Sequence, residues 1–108
     1  MLAQKRWINR DTTKLFEAVL ALKTVPECEM FFRDLLTLSE LKEFANRFRV
    51  ARMLAKGNKS YLVIAKEART TTATVTRVAQ WLKAGMGGYR LILNRLNHHS
   101  NRSAGGVG

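Results

Sequence analysis

The sequence is poor in the residues that interrupt or crosslink a chain. It has one proline, Pro26, in 108 residues, and of its seven glycines all but Gly57 lie at or beyond position 85. That scarcity speaks against a turn-rich β fold and for helices. A single cysteine, Cys28, rules out an intrachain disulfide and suits an intracellular setting. Flanked by Glu27 and Glu29, it lacks the cationic surroundings of a reactive thiol and reads as structural. There is no 18-residue apolar run to cross a membrane, and no signal-peptide pattern opens the chain, so a cytoplasmic protein is expected. The two histidines, His98 and His99, are adjacent, so their side chains diverge and a metal site is not expected. Acidic residues number only eight, and no carboxylate pair, nucleophile–base arrangement or phosphate loop appears. An enzyme is the least supported class, and no catalytic residue is nominated.

What the chain does have is positive charge, unevenly placed. Six cations balance six acids in residues 1–41. The whole net charge of +11 therefore falls on residues 42–108, where thirteen Lys and Arg face only Glu43 and Glu67. Such asymmetry is a footprint for a polyanion such as double-stranded DNA. It is not arranged as a basic amphipathic helix for a membrane surface. The hydrophobic fraction of 46% suffices for a packed core, and the length suits one domain.

Hydrophobic periodicity predicts six helices. The first, 11–23, carries Leu15, Phe16, Val19, Leu20 and Leu22, with Asp11 or Thr12 as cap. Thr24-Val25-Pro26 breaks it, and 26–36 forms a second with Met30, Phe31, Phe32, Leu35 and Leu36. The third and longest is capped by Thr37 or Ser39 and ends at Gly57. Leu41, Phe44, Ala45, Phe48, Ala51 and Ala55 form one apolar stripe on it, and Val50, Met53 and Leu54 extend a second face, as expected of a helix central to a core or an interface. Two short helices follow, 61–68 after Ser60 and 72–83, and a last one over 89–97. Residues 1–97 are expected to form one helical DNA-binding domain. The polar, then Ser/Ala/Gly-rich segment 98–108 is expected to be a flexible tail.

Two short helices joined by a tight turn over 61–82 match the helix-turn-helix plan. Ala65 is small where the helices must touch, and Ile64, Ala68, Val75 and Val78 can form the core that sets their angle. Thr70 or Thr71 can cap the second helix. Its exposed positions would be Thr72, Ala73, Thr74, Thr76 and Arg77, hydroxyls and methyls suited to base edges and thymine methyls, plus one cation. Lys56, Lys59, Lys66, Arg69 and Lys83 are the expected phosphate contacts, joined by the turn threonines Thr70 and Thr71 at the helix N-terminus. Arg69 stands at the turn position most often held by a left-handed glycine, where a side chain is strained but allowed.

The order of helices and several runs resemble the Trp-repressor superfamily, in particular its Trp-repressor-like branch. The runs are Phe32-Arg33-Asp34-Leu35, Leu38-Ser39-Glu40-Leu41, Arg47 through Leu54, Gly57, and Thr72-Ala73-Thr74-Val75-Thr76-Arg77-Val78, within residues 31–96. The resemblance implies an all-α, six-helix Trp-repressor-like fold with a helix-turn-helix. It also implies an intertwined homodimer in which the first three helices of both chains build one core. It further implies an effector site, in which two arginines sandwich the indole of bound tryptophan. Those positions match Arg47 and Arg77, and the pocket threonine matches Thr37. Two positions depart from the family pattern: its glycine after the second arginine is Val78 here, and its pocket serine three positions on is Trp81. Valine fills space the ligand edge needs and Trp81 can take the slot. The pocket is therefore expected to be closed to L-tryptophan, with a different small-molecule effector or none.

Together these features predict a sequence-specific DNA-binding transcriptional regulator, a repressor by resemblance. It would bind a palindromic operator as a homodimer, with recognition helices about 34–36 Å apart. Two other classes would account for the charge: a non-specific architectural nucleic-acid binder, and a module that docks on the transcription machinery.

Overall fold

The computed structural model describes the backbone of residues 6–107 and the side chains of residues 6–98. It contains six helices and, among the described residues, no strand: α1 (Arg10–Ala21), α2 (Val25–Leu35), α3 (Leu38–Lys56), α4 (Tyr61–Glu67), α5 (Thr72–Ala84) and α6 (Gly88–Val107). No helix is long and apolar enough to cross a membrane among the described residues.

Short polar side chains set where the helices begin. Asn9, not Asp11 or Thr12, caps α1: its side chain accepts from the Thr12 N–H at 3.0 Å, and Thr12 Oγ1 accepts from the Asn9 N–H at 2.9 Å. The reciprocal pair satisfies two orphan donors at once, so the helix starts earlier than Asp11 and leaves that carboxylate in the favourable first turn. Thr24 caps α2, and Pro26 sits in its first turn, where a missing N–H costs nothing. At α3, Thr37 Oγ1 accepts from the Glu40 N–H at 3.1 Å while Glu40 Oε1 accepts from the Thr37 N–H at 3.0 Å. The Thr37 N–H first, and second the Thr37 hydroxyl, which also donates to Glu40 Oε1 at 3.1 Å, hold the Glu40 carboxyl below the usual glutamate range. Gly57, with φ of +73°, follows the end of α3. Ser60 and Thr71 cap α4 and α5 through the N–H groups of Val63 and Thr74, each at 3.2 Å. Helix α6 is longer than the expected 89–97. The tail expected over 98–108 lies, apart from the His98 side chain, outside the described side chains.

The chain divides into two compact units, Met1–Leu41 and Lys42–Gly108. The first holds α1, α2 and the start of α3. Trp7 meets Phe16 edge-on at 6.3 Å, and Phe31 meets Phe32 at 5.4 Å. Leu15, Leu22, Cys28, Phe31, Phe32 and Leu36 are half-buried, but no described residue of this unit is fully buried. Phe16, Val19, Leu20, Val25, Met30 and Leu35 are exposed, Leu20 to 84%.

The second unit has a core of small and β-branched side chains. Val50 and Ala51 of α3, Ile64 and Ala65 of α4, Ala68, and Val75 and Val78 of α5 are all buried in one cluster. Met53, Leu54 and Tyr89 pack against it. Fully burying a valine or isoleucine contributes about 1.5–3 kcal/mol, so Val50, Ile64 and Val75 dominate this core. Of the α3 stripe inside this unit, Phe44 stays exposed and Phe48 half-buried.

Candidate nucleic-acid interface

Helices α4 and α5 cross over methyl groups. Ala65 and Ala68 are buried in one cluster with Ile64, Val75 and Val78, so small side chains stand where the two helices meet. The turn between them closes α4 with two bonds that take up its last carbonyls. The Arg69 N–H donates to the Lys66 carbonyl at 3.2 Å, and the Thr70 N–H to the Ala65 carbonyl at 2.9 Å. This pattern needs a left-handed residue just past the cap. Arg69 supplies it with φ of +55°, the one non-glycine at positive φ among the described residues. A side chain there costs about 1–2 kcal/mol relative to glycine.

The turn aims α5 with one face out. Thr72, Ala73, Thr76 and Arg77 are exposed, whereas Thr74 is half-buried and its hydroxyl lies 3.3 Å from that of Thr71. The Thr76 hydroxyl donates to the Thr72 carbonyl at 2.9 Å, which leaves its lone pairs facing out as acceptors. Lys56, Lys66, Arg69, Thr71 and Lys83 are exposed as well, and Thr70 is half-buried. Lys59 is the exception among the expected phosphate contacts: its Nζ is 2.6 Å from Glu67 Oε2, so it enters an intramolecular pair.

That pair and one other shape the electrostatics of the unit. Arg47 Nη2 meets Glu43 Oε1 at 2.7 Å, so both acids of the second unit are already matched to cations. Each pair, half-exposed, contributes only about 0–1 kcal/mol. Their larger effect is on the field, since no uncompensated carboxylate remains beside the basic surface. Sequence reasoning missed a further tie: Arg90 Nη2 donates to the Lys83 carbonyl at 3.0 Å and satisfies a carbonyl at the end of α5. No short-range pattern announces it, because the partners lie seven residues apart across a loop.

Beside this face lies a cavity of about 310 Å³. Arg47, Arg77, Thr70, Thr74, Trp81 and Tyr89 are among its walls. Val78 and Trp81, the two positions expected to close it, both border it: Val78 is otherwise buried in the core with Val50 and Val75, and Trp81 is 60% exposed. Two of the three expected effector residues, Arg47 and Arg77, come together here. Arg47 carries the Glu43 pair into the cavity, and Arg77 has no ion-pair partner among the described residues. Thr37 belongs to the other unit, where it caps α3. Asn46 and Tyr89 also line the cavity; they were not nominated, because a lone amide and a tyrosine opening a helix carry no spacing signal.

Comparison with known proteins gives this geometry its context. The family model for Trp repressor protein matches residues 10–97. The uncharacterised protein YerC of Bacillus subtilis is 38% identical over 96 residues, covering 89% of this chain and 91% of the relative. A TrpR-like protein of Eubacterium eligens superposes with a TM-score of 0.81 at 35% identity, over 86% of this chain and 95% of that one. A Staphylococcus aureus structure matches with a TM-score of 0.80 at 35% identity, over 86% and 92%.

Proposed function

Because this chain belongs to the Trp repressor family, a family of DNA-binding regulators rather than enzymes, we propose that it is a sequence-specific transcriptional repressor whose helix-turn-helix, α4–turn–α5, enters the major groove. The observation that carries this reading is the outward face of α5. It is lined by Thr72, Ala73, Thr76 and Arg77 and set on a unit that concentrates the whole net charge of the protein. Short hydroxyl and methyl side chains at a helix start reach base edges, and the cations around them reach phosphates. In this reading Thr72, Ala73, Thr74, Thr76 and Arg77 contact bases. Lys56, Lys66, Arg69, Lys83, Thr70 and Thr71 contact the backbone, and Lys59 joins them once it releases Glu67.

The protein acts as a homodimer on a palindromic operator. Its exposed apolar first unit supports this, since Phe16, Val19, Leu20 and Met30 need a cover that a second copy supplies. The cavity bounded by Arg47 and Arg77 is the effector site in this reading, with Val78 and Trp81, the two departures from the family pattern, also on its walls.

Selection of bound sequences from a random DNA pool, with and without free tryptophan, tests the reading. The expected result is an enriched palindrome with half-sites about one DNA turn apart. Binding without sequence enrichment, and with only a salt-dependent affinity, would overturn sequence-specific control in favour of an architectural role.

A further inference from the structure

One carboxylate sits among the proposed phosphate contacts. Glu67 ends α4, next to Lys66 and two residues before Arg69. It also lines a groove of about 540 Å³ with Arg49, Arg52, Lys56 and Lys59, and it is the only acid on those walls. With these cations at hand it pairs, among the described residues, with Lys59 alone. The Lys59 Nζ lies 2.6 Å from Glu67 Oε2, and the two side chains stay 37% and 41% exposed.

Helix stability does not account for this pair. Lys59 stands just before the N-cap Ser60 of α4, and Glu67 is the last residue of that helix. A helix dipole favours an acid at the N-terminal end and a cation at the C-terminal end, so each member stands at the end that disfavours it. The other acid of this unit, Glu43, makes an ordinary i,i+4 contact within α3. Lys59 and Glu67 instead reach across eight residues, along the length of α4. A half-exposed pair adds little to stability. A polyanion feels it more, because the first helix of a helix-turn-helix crosses the DNA backbone. There the pair withholds a cation from phosphate and sets an anion beside it.

We propose that Glu67 is a specificity-determining residue of DNA binding and acts by occupying Lys59. The inference rests on the helix-turn-helix reading above and adds to it a residue that reads no base. A non-specific complex is held by charge at longer range, where phosphate does not displace a carboxylate 2.6 Å from the ammonium. A sequence match on α5 draws the backbone into register, and phosphate oxygens then take the Lys59 ammonium from Glu67. One phosphate contact is thus made on matched DNA and withheld from the rest. Glu67 therefore weakens the wrong complexes more than the right one.

The test measures the affinity of the full-length protein across a salt series, for a random-sequence duplex and for the sequence selected from the random pool. E67Q is expected to tighten binding to the random duplex about tenfold and to the selected one about twofold, with the salt slope steeper by about one on the random duplex only. K59Q is expected to make the slope shallower by about one on the selected sequence only. K59Q/E67Q removes the pair as a unit and is expected to keep the wild-type slope on the random duplex. Circular dichroism follows helix content, and a misfolded E67Q could not gain affinity. An E67Q that tightens both duplexes equally would overturn the proposal, because Glu67 would then act as bulk charge. An E67Q indifferent on both would overturn it too, and either result leaves the DNA-binding reading standing. A wild-type protein that binds no duplex at low salt, or enriches no sequence from the pool, would overturn both.

Discussion

The two units are both helical and both rich in apolar residues, yet only one has an interior. In Lys42–Gly108, valines, alanines and one isoleucine from three helices and a turn are sealed in a single cluster. In Met1–Leu41, larger side chains such as Phe16, Leu20 and Met30 remain on the surface. Hydrophobicity by itself therefore does not say where a side chain is covered. The unit with the smaller side chains closes on itself because three helices converge on it. The unit with the larger ones supplies apolar area without a third layer. The structural boundary after Leu41 is also the boundary of charge, since everything before it sums to zero. The first unit carries the exposed apolar surface and the second the net charge.

The same truncation made in each unit tests this contrast most severely. Ile64→Ala removes a fully buried side chain and is expected to cost about 2–5 kcal/mol, whatever the protein concentration. Leu20→Ala is expected to cost little when the protein is dilute and about 2 kcal/mol when it is concentrated enough to pair. Denaturant unfolding at two concentrations reads both. A Leu20→Ala cost that never depends on concentration would break the contrast by leaving that face uncovered in solution.

A smaller effect is expected at the turn of the second unit. Arg69→Gly relieves the left-handed side chain and is expected to raise stability by about 1 kcal/mol. It should also lower the slope of log affinity for DNA against log salt by about one. Loss of stability instead would mean that Arg69 makes contacts that outweigh its strain.

The smallest change concerns acid. Glu40 has its carboxyl pKa lowered by the Thr37 N–H and hydroxyl, at the start of α3 in the first unit. Its folded value lies below its unfolded one, so the stability it adds is complete above the ordinary glutamate pKa. That stability is lost as pH falls through the lowered value. Thr37→Ala removes the hydroxyl donor, and an NMR titration of Glu40 is expected to move up towards the ordinary range. An unmoved titration would assign the whole shift to the backbone N–H and sharpen the account of how this unit responds to acid.

Much of the second unit was legible in the sequence, because its determinants are local. Ser60 and Thr71 cap the helices, Gly57 ends α3, and Ile64, Ala65, Ala68, Val75 and Val78 recur at helical spacing and form the core. Even the left-handed residue could be placed at Arg69, since a tight turn between two helices leaves one position for it. What escaped was set by partners distant along the chain or by competition between near-equal local choices. Asn9 outcompeted Asp11 as the α1 cap by pairing with Thr12. Lys59 went to Glu67, and Arg90 to the end of α5.

The alanines between α4 and α5 have a consequence for recognition. A methyl group has no rotamers, so Ala65 and Ala68 leave no side-chain freedom in the part of the joint they form. The orientation of α5 is then set when the chain folds, and docking on a partner need not freeze it again. A reader built this way loses little entropy on binding and tolerates misfit poorly. Discrimination between sequences would then come from stiffness as much as from the hydroxyls it displays.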